Sequence, residues 1–282
     1  MTGDLLGDVE VDAFVHDGTE HRVLRSGTGP AVIVVAEFPG ITPAVARFAR
    51  RVRAIGCTVV LPELFGVAGR SLSPDRDGRL GAARTAARAV RDICVSREFT
   101  LFAVGRTSPA IPWLRALAAH EHERCGGPGV GAVGMCLTGG FALAMATDEV
   151  VLAPVLSQPS LPLALGRRRA STTDISEEDL SVVEERCAAG LQVLGVRFRG
   201  DRVSPAARFE GLRRRLGDAF VAIELDDESA DEWLDPSYID EPNTPAPSVA
   251  RTSAGTARIG IEENRLEAAA GTLEASIRLE PL

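Results

Sequence analysis

The chain has 282 residues, of which 45% are hydrophobic and 25% are charged, and its formal net charge is −8. This length and composition are typical of a folded globular chain and exclude a disordered or fibrous one. The excess of acidic side chains argues against a nucleic-acid partner, because affinity for a phosphate backbone comes mainly from clustered Lys and Arg.

The first residues and the cysteines indicate the compartment. Residues 1–11 include acidic side chains and no apolar segment of a signal peptide, and no apolar run reaches transmembrane length. The five cysteines are scattered and form no CxxC pair, which favours reduced thiols and gives no sign of a zinc site. We therefore expect a cytoplasmic protein with no membrane contact, metal or cofactor; the sequence does not indicate an oligomeric state.

The predicted elements alternate between strands and helices. In chain order they are strand Ala31–Ala36, helix Pro43–Ala54, strand Cys57–Leu61, helix Arg79–Cys94, helix Ser108–His122, strand Val130–Met135, helix Thr138–Thr147, strand Val150–Val155, helix Ser176–Ala189, strand Gln192–Phe198, helix Pro205–Leu216 and strand Ala219–Leu225. This alternation predicts an α/β fold with a doubly wound, mostly parallel sheet. We expect a single domain over residues 1–228 and a divergent, partly helical C-terminal tail over residues 229–282.

A short segment rich in small residues joins a predicted strand to a predicted helix. It runs Gly-Met-Cys-Leu-Thr-Gly-Gly from Gly134 to Gly140, and a nucleophile elbow belongs at such a junction. Cys136 is the candidate nucleophile, since the N-terminus of the following helix lowers the pKa of a thiol, and the backbone N–H of Leu137 is a candidate oxyanion donor. The segment departs from Gly-x-Ser-x-Gly in having Cys for Ser and Thr138 for the second Gly. A buried core cysteine is the alternative interpretation.

Three further segments follow other predicted strands. They are Ala-Glu-Phe-Pro-Gly at Ala36–Gly40, Leu-Pro-Glu-Leu-Phe-Gly at Leu61–Gly66, and Gly-Asp-Arg-Val-Ser-Pro at Gly200–Pro205. Together with the Cys136 segment they resemble the dienelactone hydrolase family of the α/β-hydrolase superfamily. The resemblance extends from about Val23 to Leu225.

This resemblance implies a site and an activity. In such a family Glu37 would contact the resting nucleophile, the backbone N–H of Phe38 would complete the oxyanion hole with Leu137, and Asp201 would be the acid of a catalytic triad. The implied activity is hydrolysis of a small-molecule ester or lactone. The chain departs from the family pattern at Ala36, where a histidine is usual, and at Ser204, where an apolar residue is commoner.

The histidine that such a triad needs is not found. In this fold the order along the chain is nucleophile, acid, histidine, yet the only histidines are His16, His21, His120 and His122. The resemblance would place the histidine after the strand that ends at Leu225, where the sequence instead has Asp226, Asp227, Glu228, Asp231 and Glu232. A carboxylate with a pKa of about 4 is a poor base for a thiol with a pKa of about 8.5.

Two functions therefore remain open from the sequence. The first is a hydrolase of small esters or lactones that uses Cys136 and is impaired by the missing histidine. The second is a non-catalytic relative, either a ligand-binding protein or a chain altered after about Glu228. A third hypothesis, outside the family, is a doubly wound α/β domain that binds another ligand and has an inert core Cys136. No phosphate-binding loop follows the first strand, which argues against a nucleotide as that ligand.

Overall fold

The computed structural model describes residues 9–37, 40–64 and 105–227. Four parts of the sequence-based prediction lie outside these residues: Phe38, the helix Arg79–Cys94, residues 65–66 of the Leu61–Gly66 segment, and the chain from residue 228 onward. The boundary expected at residue 228 therefore remains a prediction.

The described elements alternate as the sequence predicts. They are β1 Glu10–His16, β2 Thr19–Ser26, β3 Ala31–Val35, α1 Pro43–Ala54, β4 Thr58–Pro62, α2 Ile111–Cys125, β5 Val130–Met135, α3 Gly139–Met145, β6 Val151–Ser157, α4 Arg167–Ala170, α5 Glu177–Ala188, β7 Val193–Phe198, α6 Ala206–Leu216 and β8 Phe220–Leu225. Short 3₁₀ turns span Cys136–Thr138 and Gly217–Ala219.

The strands form one sheet in the order β1-β2-β4-β3-β5-β6-β7-β8. The pairs from β4 to β8 are parallel, whereas β1 and β2 are antiparallel and form a hairpin at one edge. The hairpin turns at Asp17 and Gly18, which both have positive φ angles, as a tight two-residue hairpin turn requires. The α/β class and the mostly parallel sheet are thereby confirmed.

Helices cover both faces of the sheet. On one face, α1 packs Val45, Phe48 and Val52 against strand residues such as Val34 and Val133. On the other face, α2, α3, α5 and α6 share a second apolar cluster. Because helices cover both faces of the sheet, its central strands are apolar. Polar residues that could take part in function are therefore expected at the strand ends.

Two of these helices begin at residues whose side chains cap them. The hydroxyl of Thr42 accepts a hydrogen bond from the Val45 N–H at 3.3 Å, and that of Ser176 accepts one from the Asp179 N–H at 3.1 Å. Ser176, where the sequence predicts a helix to begin, is thus the N-cap of α5. In the part of the chain that the structure describes, no helix has both the length and the apolar character needed to cross a membrane.

Candidate active site

Cys136 occupies a strained turn between β5 and α3. Its backbone φ is +51°, a left-handed conformation that costs a non-glycine residue roughly 1–2 kcal/mol. Its side chain is half-buried at the carboxyl end of the sheet. A turn of this kind presents a nucleophile above the strand ends, and the structure confirms the sharp strand-to-helix turn predicted from the sequence.

The glycines around Cys136 permit close approaches of other groups. A Cβ atom on Gly134 would lie 2.1 Å from the carbonyl oxygen of Thr138, and one on Gly140 would lie 1.8 Å from Oδ1 of Asp174. Neither distance is compatible with a side chain. These close approaches are possible because neither position carries a side chain.

Thr138 replaces the second glycine of the usual pattern and has a structural role. Its fully buried hydroxyl accepts a hydrogen bond from the Met135 N–H at 2.9 Å and lies 2.8 Å from the carbonyl oxygen of Val35, to which it can donate. The side chain thus ties the elbow to the end of β3. This departure from the family pattern stabilises the turn.

Ser160 is a site residue that sequence reasoning did not single out. Its hydroxyl lies 3.3 Å from Sγ of Cys136 and 3.0 Å from the carbonyl oxygen of Gln158, while its N–H donates to the Cys136 carbonyl oxygen at 2.9 Å. Only 2% of its surface is exposed. The loop after β6 therefore contacts Cys136 through both side chain and backbone.

Arg208, in the first turn of α6, donates hydrogen bonds to the backbone of this loop. It is fully buried, and its guanidinium donates hydrogen bonds to five backbone carbonyl oxygens, those of Pro159, Pro162, Arg169, Thr172 and Val203. Burial lowers the pKa of Arg208 to about 10, a shift that Asp174 and Asp201 oppose. The group remains a cation at neutral pH and joins the loop of Ser160 to the loop of Asp201.

The strand register places Glu37 at the same edge of the sheet as Cys136. Val35 of β3 pairs with Gly134 of β5, and Glu37 and Cys136 each follow two residues later. The Glu37 carbonyl oxygen accepts a hydrogen bond from the Gly40 N–H at 2.7 Å. Phe38, the predicted oxyanion donor, lies outside the described residues. Leu137 directly follows Cys136 at the start of the helical turn.

Asp201 lies at the same edge, beyond β7. It is 7% exposed, and its Oδ1 accepts hydrogen bonds from the backbone N–H groups of Val203 at 2.8 Å and Ser204 at 3.1 Å. These bonds fix the loop that carries the carboxylate. The Gly200 N–H next to it donates to Oδ1 of Asp227 at 2.9 Å, so the chain just beyond β8 lies beside the Asp201 loop.

The histidines lie elsewhere. The ring of His21 is 4.9 Å from that of Trp113, and the ring of His120 is 5.2 Å from that of Phe14. These residues, together with His16 and His122, belong to the β1-β2 hairpin and to α2. In the sheet order β2 is three strands from β5, or about 14 Å at the usual spacing.

A further carboxyl group, that of Asp174, is buried next to Gly140. Asp174 is 1% exposed, and its Oδ1 has no hydrogen-bond partner among the described residues. Burial raises the pKa of Asp174 to about 8, although its own backbone N–H and the charge of Arg208 act in the opposite direction. The described ranges contain no group of three or more His, Cys, Asp or Glu side chains arranged to hold a metal ion.

The sheet and the strained turn at Cys136 after β5 define a protein of the α/β-hydrolase type. The model of the dienelactone hydrolase family matches residues 21–164, and this match includes both Cys136 and Ser160. Because it covers just over half of the 282 residues, the chain belongs to the dienelactone hydrolase family, a family of hydrolases.

Several solved structures are similar to the chain at low identity. A putative dienelactone hydrolase from Klebsiella pneumoniae is 17% identical with a TM-score of 0.46, over 77% of this chain and 84% of that one. A dienelactone hydrolase from Anabaena variabilis is 14% identical with a TM-score of 0.48, over 78% and 86%. A lidless α/β serine hydrolase from Xanthomonas campestris is 12% identical with a TM-score of 0.46, over 96% and 94%. None of the curated proteins matches the chain.

Proposed function

We propose that Cys136 is the nucleophile of a hydrolase that acts on small esters or lactones and is slowed by the lack of a triad histidine. The observation that carries the proposal is the left-handed backbone of Cys136 at the carboxyl end of β5, at φ +51°. A strained non-glycine residue at a strand end needs a reason to persist, and presenting a reactive thiol to a substrate supplies one.

The first step of the reaction follows from the groups at this edge. The Cys136 thiolate attacks the carbonyl carbon of the ester, and a carbon–sulfur bond forms as the carbonyl electron pair moves onto oxygen. The backbone N–H groups of Phe38 and Leu137 stabilise this oxyanion. When the intermediate collapses, the carbon–oxygen bond to the leaving group breaks and a thioester on Cys136 remains.

The missing histidine defines which substrates are suitable. With no histidine to protonate the leaving oxygen, the site favours esters and lactones whose leaving group is already a stable anion, as in aryl or enol esters. Hydrolysis of the thioester needs an activated water, and a positioned general base is typically worth roughly 10²- to 10⁴-fold in rate. In this proposal Asp201 and Glu37 orient the reacting groups, and deacylation is the slow step.

The cysteines support a reducing, cytoplasmic setting. The four that lie in the described residues, Cys57, Cys125, Cys136 and Cys187, are all free thiols.

Burial raises the pKa of Cys57 and of Cys187. These two thiols therefore compete poorly with a nucleophile at the turn after β5.

Time-resolved cleavage of a small activated aryl ester tests the proposal. We expect a burst of one phenolate per chain, followed by slow turnover, with the acyl group mapped to Cys136 by mass spectrometry. Cys136→Ala should abolish the burst, whereas Cys187→Ala, a half-buried thiol away from the turn, should retain it. A burst that survives in Cys136→Ala would contradict the proposal.

A non-catalytic, ligand-binding role is the second candidate. It is favoured by Asp227, which lies beside the Asp201 loop through its bond to the Gly200 N–H, in the region where the family resemblance calls for a histidine. A protein of this kind would give no burst with aryl esters. It would instead bind a non-hydrolysable ester or lactone analogue equally well with and without the Cys136 thiol.

A further inference from the structure

We infer that Ser160 acts as the hydrogen-bond donor that stabilises the thiolate of Cys136 and orients it for attack. This inference rests on the proposed function of Cys136 and assigns a partner that the loop after β6 brings to the nucleophile. Ser160 is thus a catalytic residue that contacts the reacting sulfur atom.

The contacts of the Ser160 hydroxyl change with the charge on sulfur. Its oxygen lies 3.3 Å from Sγ of Cys136 and 3.0 Å from the carbonyl oxygen of Gln158. A hydroxyl carries one proton, so it donates to only one of these acceptors at a time. Beside a neutral thiol it donates to the carbonyl oxygen, and beside a thiolate it rotates to donate to sulfur.

The backbone around Ser160 fixes this geometry. The Ser160 N–H donates to the carbonyl oxygen of Cys136 at 2.9 Å, and the Gln158 N–H donates to that of Val196 at 2.8 Å. Gln158 itself has a φ of +48°, so the backbone is strained at Gln158 as well as at Cys136. A hydroxyl held this firmly reaches the sulfur without a large loss of side-chain freedom on ionisation.

Packing shields the Ser160 side of the same contact. Ser160 is 2% exposed, and a Cβ atom on Gly139 would lie 2.4 Å from the Cα of Pro159. The loop therefore lies directly on the first turn of α3. A hydrogen bond in such a shielded place is stronger than one in water, and donation to the charged form of an acid lowers its pKa.

Alkylation of Cys136 by iodoacetamide as a function of pH tests the inference, with the modified peptide followed by mass spectrometry. A hydrogen bond to a charged group corresponds to about one to two pKa units. We therefore expect Ser160→Ala to move the midpoint of Cys136 alkylation upward by about one pH unit or more. Ser160→Thr, which retains a hydroxyl, should remain within a few tenths of the wild-type midpoint.

The matched control is Ser108→Ala. Ser108 is also 2% exposed, and its hydroxyl accepts a hydrogen bond from the Ala110 N–H at the start of α2. Loss of this buried hydroxyl should leave the midpoint of Cys136 unchanged. A midpoint in Ser160→Ala equal to that of the wild type, in a variant with a wild-type melting temperature, would overturn the inference.

The two proposals fail in different ways. A shifted alkylation midpoint without any acylation by aryl esters would support the role of Ser160 and contradict the hydrolase. Acylation with an unshifted midpoint would support the hydrolase and contradict the role of Ser160. In the acylation reaction itself, Ser160→Ala should lower the rate constant of the burst about tenfold at pH 7 and leave the half-saturating ester concentration unchanged.

Discussion

The guanidinium of Arg208 donates a hydrogen bond to the carbonyl oxygen of Pro159, the residue directly before Ser160. A second bond reaches the carbonyl oxygen of Pro162, so the arginine holds both sides of the residue that contacts Cys136. A third bond reaches the carbonyl oxygen of Val203, which belongs to the loop of Asp201. One buried cation thereby sets the relative positions of two loops at the candidate site.

Replacement of Arg208 should therefore affect both stability and the reactivity of Cys136. Arg208→Met leaves several buried carbonyl oxygens without a donor, and we expect it to lower the free energy of unfolding by about 3–5 kcal/mol. Arg208→Lys, with at most three donors, should lie between this variant and the wild type. Urea unfolding measures the first effect, and the rate of Cys136 alkylation measures the second.

The control for this prediction lies on the same helix. Arg214 of α6 is exposed, and Arg214→Met should change the free energy of unfolding by no more than about 0.5 kcal/mol. A similar loss in both variants would show that the hydrogen bonds of Arg208 do not hold the loops.

Gly140→Ala should destabilise the elbow. The added Cβ would lie 1.8 Å from Oδ1 of Asp174, and we expect the overpacking to cost about 1–3 kcal/mol. In an Asp174→Ala background the carboxyl group is gone, so the same Gly140→Ala change should cost much less. A double-mutant cycle measured by urea unfolding tests this coupling, and additive effects would contradict it.

The sequence predicted the parts of the site whose geometry is local. The segment around Cys136 carries its own turn, since Gly134 and Thr138, four positions apart along the chain, pack closely against each other. The central strands are equally local, because apolar runs such as Ala31–Val35 are buried on both faces and need no partner to be recognised. Family resemblance then added Glu37 after β3 and Asp201 after β7.

The remaining contacts depend on tertiary structure. Ser160 lies 24 positions from Cys136, and Arg208 lies 49 positions from Pro159, so no spacing rule connects them. Arg208 is one of several arginines on α6, and nothing in its local sequence distinguishes it from the exposed Arg213, Arg214 and Arg215. The sequence predicts a turn between His16 and His21, where the Asp17-Gly18 pair is a strong turn signal. The strands β1 and β2 on either side of it were missed, because edge strand β1 alternates weakly.

Asp174 should make the stability depend on pH with an unusual sign. Its pKa is raised by burial to about 8, from an ordinary value of 3.8, so between these pH values the unfolded chain is ionised while the folded chain keeps the proton. The contribution of Asp174 to stability is therefore fully present below about pH 4 and is lost progressively as the pH rises to about 8. Asp174→Asn cannot ionise, so its free energy of unfolding should fall less than that of the wild type between pH 5 and pH 8.

Urea unfolding at both pH values measures this difference, and Asp179→Asn is the control. Burial alone would raise the pKa of Asp179, but hydrogen bonds from Thr107 and Arg115 lower it overall. Its contribution is present at both pH 5 and pH 8, and it is lost only as the pH falls through the lowered folded pKa. The Asn variant should therefore lose similar stability at the two pH values. An Asp174→Asn variant with the same pH dependence as the wild type would contradict the assignment.

The strain at Cys136 predicts a difference in stability between two variants that lack the thiol. Alanine and glycine both remove the thiol, but only glycine adopts a φ of +51° without a steric cost. We expect Cys136→Gly to be more stable than Cys136→Ala by about 0.5–1 kcal/mol, although glycine loses more backbone entropy on folding. Ala142→Gly in α3 provides the opposite case, because glycine in a helix interior should cost about 1 kcal/mol. If glycine is the less stable residue at both positions, the strained elbow is not a feature of the folded protein in solution.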